Sequence, residues 1–132
     1  MADSMNFEIV SPEARLATME AQSVTVPGAE GELTAMPMHA PFLTALRPGV
    51  VTARSGAGEE RYVVTGGFVE ITNEQVGVIA QDAAKAGDVD RAWIDVRIEA
   101  AEKAVGAAPD ARRTAEAQRL ADLRQLAVEL GL

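Results

Sequence analysis

A single histidine, His39, limits the chemistry this chain can do. One imidazole cannot form a His pair or a His triad for a metal. With no cysteine there is no thiolate ligand, no thiol nucleophile and no disulfide framework. A serine nucleophile with His39 as its base would need a G-x-S-x-G elbow, and none occurs. No phosphate-cradling G-x-x-x-x-G-K-[ST] occurs either, and Gly56-Ala57-Gly58-Glu59-Glu60-Arg61 starts like a dinucleotide fingerprint but ends in arginine ahead of a strand, as a hairpin loop does. The only lysines, Lys85 and Lys103, fall outside the strand-rich region. Glu30 and Glu32 form a candidate carboxylate pair. On a glycine-flanked turn they are solvated and lack the burial that raises a carboxyl pKa for acid catalysis. The residue types therefore point away from an enzyme, and they offer no cofactor or metal site.

His39 lies in Pro37-Met38-His39-Ala40-Pro41, where flanking prolines keep the segment extended. Two readings stand side by side. A rigid segment presenting apolar and titratable side chains is a contact loop. Alternatively, the imidazole is simply satisfied by a backbone carbonyl. Gly66-Gly67 also has two readings: a hairpin or bulge at a sheet corner, or bare backbone approached by a ligand.

These residues are carried by 132 amino acids, 48% of them apolar and 24% charged, which suits one soluble domain or a smaller domain with an appendage. No apolar run approaches the length of a membrane-spanning helix. The start, Met1-Ala2-Asp3-Ser4-Met5, is acidic and leads into no apolar stretch, so no signal peptide is expected and the chain is expected to stay in the cytosol. A net charge of −8 opposes binding to nucleic acid.

The charge is uneven. Residues 1–82 hold four basic residues against eleven acidic ones, and residues 83–132 hold eight against nine. Alanine crowds the second part, while nine of the 11 glycines and five of the six prolines precede residue 88. In the first part, short apolar runs break at turn residues every ten or so positions: Phe7–Val10, Leu16–Val26, Glu32–Met36, Pro41–Leu46, Val50–Arg54, Arg61–Thr65, Phe68–Thr72 and Val76–Ala80. That rhythm predicts a β-sandwich or small barrel. In the second part, Asp88 is the expected N-cap of a helix. Its apolar face combines the stripe Val89, Trp93, Val96, Ala100 with the stripe Ile94, Ile98, Ala101, Val105. Gly106 and Pro109 end it, Asp110 caps a second helix, and Leu120, Leu123, Ala127 and Leu130 form a seam closed by Gly131. The short link makes an antiparallel helical hairpin, which is too small for a large core of its own and is expected to lie on the sandwich or on a partner. The reading is α+β: a β domain over 1–84 and a helical hairpin over 85–132.

Three segments carry a resemblance. Val26-Pro27-Gly28-Ala29-Glu30-Gly31-Glu32-Leu33, Pro37-Met38-His39-Ala40-Pro41-Phe42-Leu43-Thr44-Ala45-Leu46-Arg47-Pro48-Gly49 and Tyr62-Val63-Val64-Thr65-Gly66-Gly67-Phe68-Val69-Glu70-Ile71, with Val76–Ala80 beyond, resemble the epsilon subunit family of F-type ATP synthase. The resemblance covers essentially the whole chain. It implies a ten-stranded flattened β-sandwich or barrel followed by a two-helix domain, without catalysis or cofactor. It implies a rotor, or central stalk, part of the synthase, peripheral on the cytoplasmic face of the bacterial inner membrane. The sandwich would grip the gamma subunit and rest on the c-ring, coupling ring rotation to the gamma shaft. Glu30, Glu32 and His39 match family positions at or near that contact.

In some members the hairpin extends along gamma and blocks hydrolysis, and Arg112, Arg113, Arg119 and Arg124 are candidates to meet acidic surface on the alpha and beta subunits. Some members also bind ATP through [I/L]-D-x-x-R-A. Here the aligned residues are Val89-Asp90-Arg91-Ala92-Trp93-Ile94, with Trp93 at the arginine position. Arg91 is two positions away, on another side of the helix, so the hairpin is expected not to be an ATP-controlled latch. The alternative to the rotor reading is a stand-alone β-sandwich module for a small molecule, which would need a deep pocket with convergent polar groups. Aromatics to line one make up only 4% of the chain.

Overall fold

The computed structural model describes residues 4–132, and the acidic start Met1-Ala2-Asp3 falls outside them. Ten strands are followed by two helices, and the chain divides into a β unit ending at Ala86 and a helical unit, Gly87–Leu132.

The strands are β1 (Met5–Val10), β2 (Arg15–Ala21), β3 (Ser23–Gly28), β4 (Gly31–Ala35), β5 (Phe42–Leu46), β6 (Gly49–Ser55), β7 (Gly58–Val64), β8 (Gly67–Ile71), β9 (Gln75–Ala80) and β10 (Ala83–Lys85). They form one sheet in the order β10-β7-β6-β3-β5-β8-β9-β1-β2, with β4 paired to β3. All pairings are antiparallel except β1 with β9. The sheet folds over on itself and is nearly closed. Its interior follows the period-2 rule. Phe7 and Ile9 of β1, Val24 and Val26 of β3, Val51 of β6, Tyr62 and Val64 of β7, Val69 and Ile71 of β8, and Val76 and Val78 of β9 are buried in one cluster. Phe7 and Tyr62, on strands far apart in sheet order, meet across the interior with ring centroids 6.0 Å apart. Burial, with the charge of Glu60 adding to it, raises the Tyr62 phenol above its ordinary pKa.

Several sequence expectations shift. The run Leu16–Val26 is two strands, broken at Gln22, whose N–H donates to Arg54 O (2.7 Å). β3 runs through Pro27 to Gly28, and the Pro27 carbonyl accepts from Arg47 N. The short β10 adds a strand on β7 that the sequence did not announce. Gly66-Gly67 is not a hairpin, because β7 and β8 are not paired; it carries the chain from one part of the sheet to another. Both glycines have positive φ (143° and 127°), and a Cβ on Gly67 would lie 2.0 Å from the Ile79 carbonyl oxygen. Only glycine fits there.

In the helical unit, α1 (Arg91–Ala107) and α2 (Asp110–Glu129) are joined by Ala108-Pro109. The N-cap of α1 is Asp90, not Asp88: its Oδ1 accepts from Trp93 N at 2.8 Å. Asp88 belongs to a preceding 3-10 turn, Ala86–Asp88. Asp110 is the first residue of α2, and Pro109 holds the cap position without a side-chain bond. Ile94 and Ala101 of α1 are buried, as are Leu123, Leu126 and Ala127 of α2. The other α1 stripe is not core: Trp93 is half-buried, and Val96 and Ala100 are exposed. Arg124 Nη2 reaches Glu102 Oε2 across the pair at 3.0 Å.

Candidate functional site

The sheet leaves one apolar strip uncovered. Pairing register aligns Ala45 of β5 with Phe68 of β8, Phe68 with Ile79 of β9, and Ile79 with Val10 of β1. Alternation turns all four outward, opposite the core residues Leu46, Val69, Val78 and Ile9. Phe68 is 56% exposed and Ile79 60%. The neighbouring row runs Leu43, Glu70, Gly77, Glu8, so Leu43, 65% exposed, extends the strip toward a border of two carboxylates. Phe68 and Ile79 lie side by side in register with Leu43 in the next row, so this exposed apolar surface is contiguous rather than scattered.

A second feature lies at one end of the same sheet, where the β3–β4 turn and the β4–β5 connection come together. A cavity of about 340 Å³ there is lined by Ala29, Glu30, Gly31, Glu32, Leu33, His39, Phe42 and Thr44. Glu30, Glu32 and His39, separate in the sequence reading, thus share one concavity. Its wall is mainly apolar, from Leu33 and Phe42, and the two carboxylates are exposed. The β3–β4 turn places them: Gly28 pairs with Gly31, which has a φ of 129°. The β4–β5 connection is fixed as well. His39 N donates to Met36 O (3.0 Å), and Met38 N donates to Asn73 O (2.9 Å) in the turn between β8 and β9. Met38 holds a φ of 70°, uncommon for a residue with a side chain. The His39 ring is half-buried, and its Nδ1 bonds the Ala40 carbonyl. The carbonyl-satisfied and contact-loop readings of His39 are therefore compatible.

In the helical unit, the cations near the start of α1 are engaged. Arg91 Nε lies 3.2 Å from Asp95, and the Arg97 guanidinium stacks on the Trp93 ring at 3.8 Å while its Nη1 donates to Trp93 O. Of the α2 arginines, Arg113 pairs with Asp110 (3.1 Å) and Arg124 with Glu102. Among the described residues, no group of His, Asp and Glu is placed to hold a metal ion, and no helix is long and apolar enough to cross a membrane.

The sequence reading singled out Glu30, Glu32 and His39, three of the residues that line the cavity, but missed the apolar strip. Its signal was there: Phe68-Val69 and Val78-Ile79-Ala80 are continuous apolar runs, which put apolar side chains on both faces of β8 and β9.

Comparison with known proteins adds the following. Residues 4–86 match the family model described as "ATP synthase, Delta/Epsilon chain, beta-sandwich domain". The chain is 43% identical over 132 residues to the ATP synthase epsilon chain of Rhodobacter capsulatus, covering 100% of both. It is 50% identical over 101 residues to that of Ruegeria sp. (strain TM1040), covering 76% of this chain and 74% of the relative. A chain in the cryo-EM structure of Euglena gracilis mitochondrial ATP synthase, described as OSCP/F1/c-ring in rotational state 1, shares the fold at a TM-score of 0.75 and 18% identity, covering 98% of this chain and 83% of that one.

Proposed function

The chain belongs to the ATP synthase delta/epsilon family, as an epsilon chain, and from that premise we propose that it is a non-catalytic rotor subunit binding two partners through two surfaces of its sandwich. The observation that carries this reading is the uncovered row Ala45, Phe68, Ile79, Val10, which leaves apolar surface facing water until a partner covers it. That row docks on the gamma subunit. The end cavity with Glu30, Glu32 and His39 rests on the c-ring, and its carboxylates call for cationic groups on the facing surface. Two rigid contacts on one sheet let the subunit pass ring rotation to the shaft without slack. The complex is peripheral, on the cytoplasmic face of the membrane. The hairpin is not an ATP-controlled latch: Trp93 stands at the family's arginine position, and Arg91 and Arg97 near the start of α1 are engaged with Asp95 and Trp93.

The test is charge reversal at the cavity. Glu32→Lys should reduce proton-driven ATP synthesis in reconstituted vesicles while leaving the fold intact, because an exposed charge contributes little to stability. Glu59→Lys, near the β6–β7 turn at the other end of β6, should leave coupling unchanged. Coupling lost with Glu59→Lys and kept with Glu32→Lys would reverse the assignment.

A further inference from the structure

The β4–β5 connection, which contributes His39 to the end cavity, also presents two thioethers to solvent. Met36 is 59% exposed and Met38 65%, whereas Met5 is 1% exposed in the core and Met19 is half-buried against it. The segment is not a floppy tip: the Met36–His39 turn bond, the Met38 N–H to Asn73 O bond and Pro37 hold both side chains on the surface. Phe42, 46% exposed, follows the connection and lines the cavity.

We propose that Met36 and Met38 form an oxidation-sensitive switch, whose conversion to sulfoxides by a peroxide weakens docking of this end of the sandwich. This rests on reading the end as the ring-facing surface. In each step the peroxide O–O bond breaks and one oxygen bonds to Sδ. The sulfur is oxidised by two electrons and hydrogen peroxide is reduced to water. The product replaces a soft apolar group with a polar, chiral one that fits an apolar contact poorly. The reaction acts on the subunit before docking, because docking covers this segment. Core Met5 reacts only through opening of the sandwich, and each 1.4 kcal/mol needed for opening slows it about tenfold.

The experiment treats the full chain with hydrogen peroxide and maps oxygen uptake by peptide mass spectrometry. Met36 and Met38 should each gain one oxygen at least about tenfold faster than Met5, a factor set by that opening cost. The oxidised chain is then rebound to synthase-containing membranes stripped of this subunit. Rebinding should fall, and a Met36→Leu, Met38→Leu double variant given the same peroxide should rebind like untreated protein. Oxidation of Met5 as fast as Met38, or equal rebinding of oxidised wild type and untreated protein, would overturn the switch, as would an equal peroxide-induced loss in the double variant. If Glu32→Lys keeps coupling while peroxide still cuts rebinding only in the wild type, the switch stands and the ring-facing assignment fails.

Discussion

In the sandwich, side chains from nine strands converge on one interior, and Phe7 touches Tyr62 from a strand far away in the sheet. In the hairpin, burial reaches only Ile94 and Ala101 on one helix and Leu123, Leu126 and Ala127 on the other, with the Arg124–Glu102 pair at the margin. The first region gathers apolar area from distant parts of the chain; the second relies on helix propensity and a narrow seam of a few aliphatic residues. Hydrophobic stabilisation scales with area removed from water, so the sandwich should be the stable unit and the hairpin the one that opens at low cost. A stable platform with an easily opened appendage suits the rotor role proposed above.

The largest expected effect is in the sandwich core. Phe7→Ala should cost about 3–5 kcal/mol, the range for removing a buried aromatic ring, and urea unfolding followed by Tyr62 fluorescence should show it. A loss as small as that of a surface change would mean the interior is looser than its packing indicates. Next, Leu123→Ala should cost about 2–3 kcal/mol, seen as loss of helical circular dichroism while the Tyr62 signal keeps its midpoint. A shift of both signals together would show that the two units unfold as one. Smaller again, Asp90→Ala removes the α1 cap and should cost about 1 kcal/mol; hydrogen exchange should rise at the first turn of α1 and not at β7. The smallest effect sharpens the contrast most: ending the chain after Ala86 should leave the urea midpoint of the sandwich in place. Loss of cooperative unfolding in that fragment would make the hairpin part of one folding unit.

How much of this was legible in the sequence depended on the kind of signal. Glycine and proline punctuation located most strands, because those residues act on the local backbone. The break at Gln22 was invisible, since it is made by a hydrogen bond to Arg54 and not by a turn residue. β10 was missed because Ala83-Ala84-Lys85 has little strand preference and forms only by pairing with β7. Asp88 and Asp90 are equally good caps in isolation, and the 3-10 turn before α1 decides between them. Both stripes on α1 have helical spacing, yet only the one through Ile94 and Ala101 is buried, a choice made by tertiary packing. For the candidate site, Glu30 and Glu32 stood out on a glycine-flanked turn and His39 in a proline-held segment, and only the family resemblance grouped the three. The row of Phe68 and Ile79 needed the register of four strands, which no single segment contains.

The lone parallel pairing has a consequence for how the molecule is made. β1 leaves the ribosome well ahead of its partner β9, which begins at Gln75, opposite Asn6. Until then β1 has only β2, and an isolated two-stranded ribbon is marginal in water. At roughly 5–20 residues per second of synthesis, the nascent β1 waits several seconds with Phe7 and Ile9 uncovered. β1 is thus translated well before it can be locked in, and the emerging chain depends on prompt completion of β9, or on chaperone cover, to avoid pairing with a neighbouring chain.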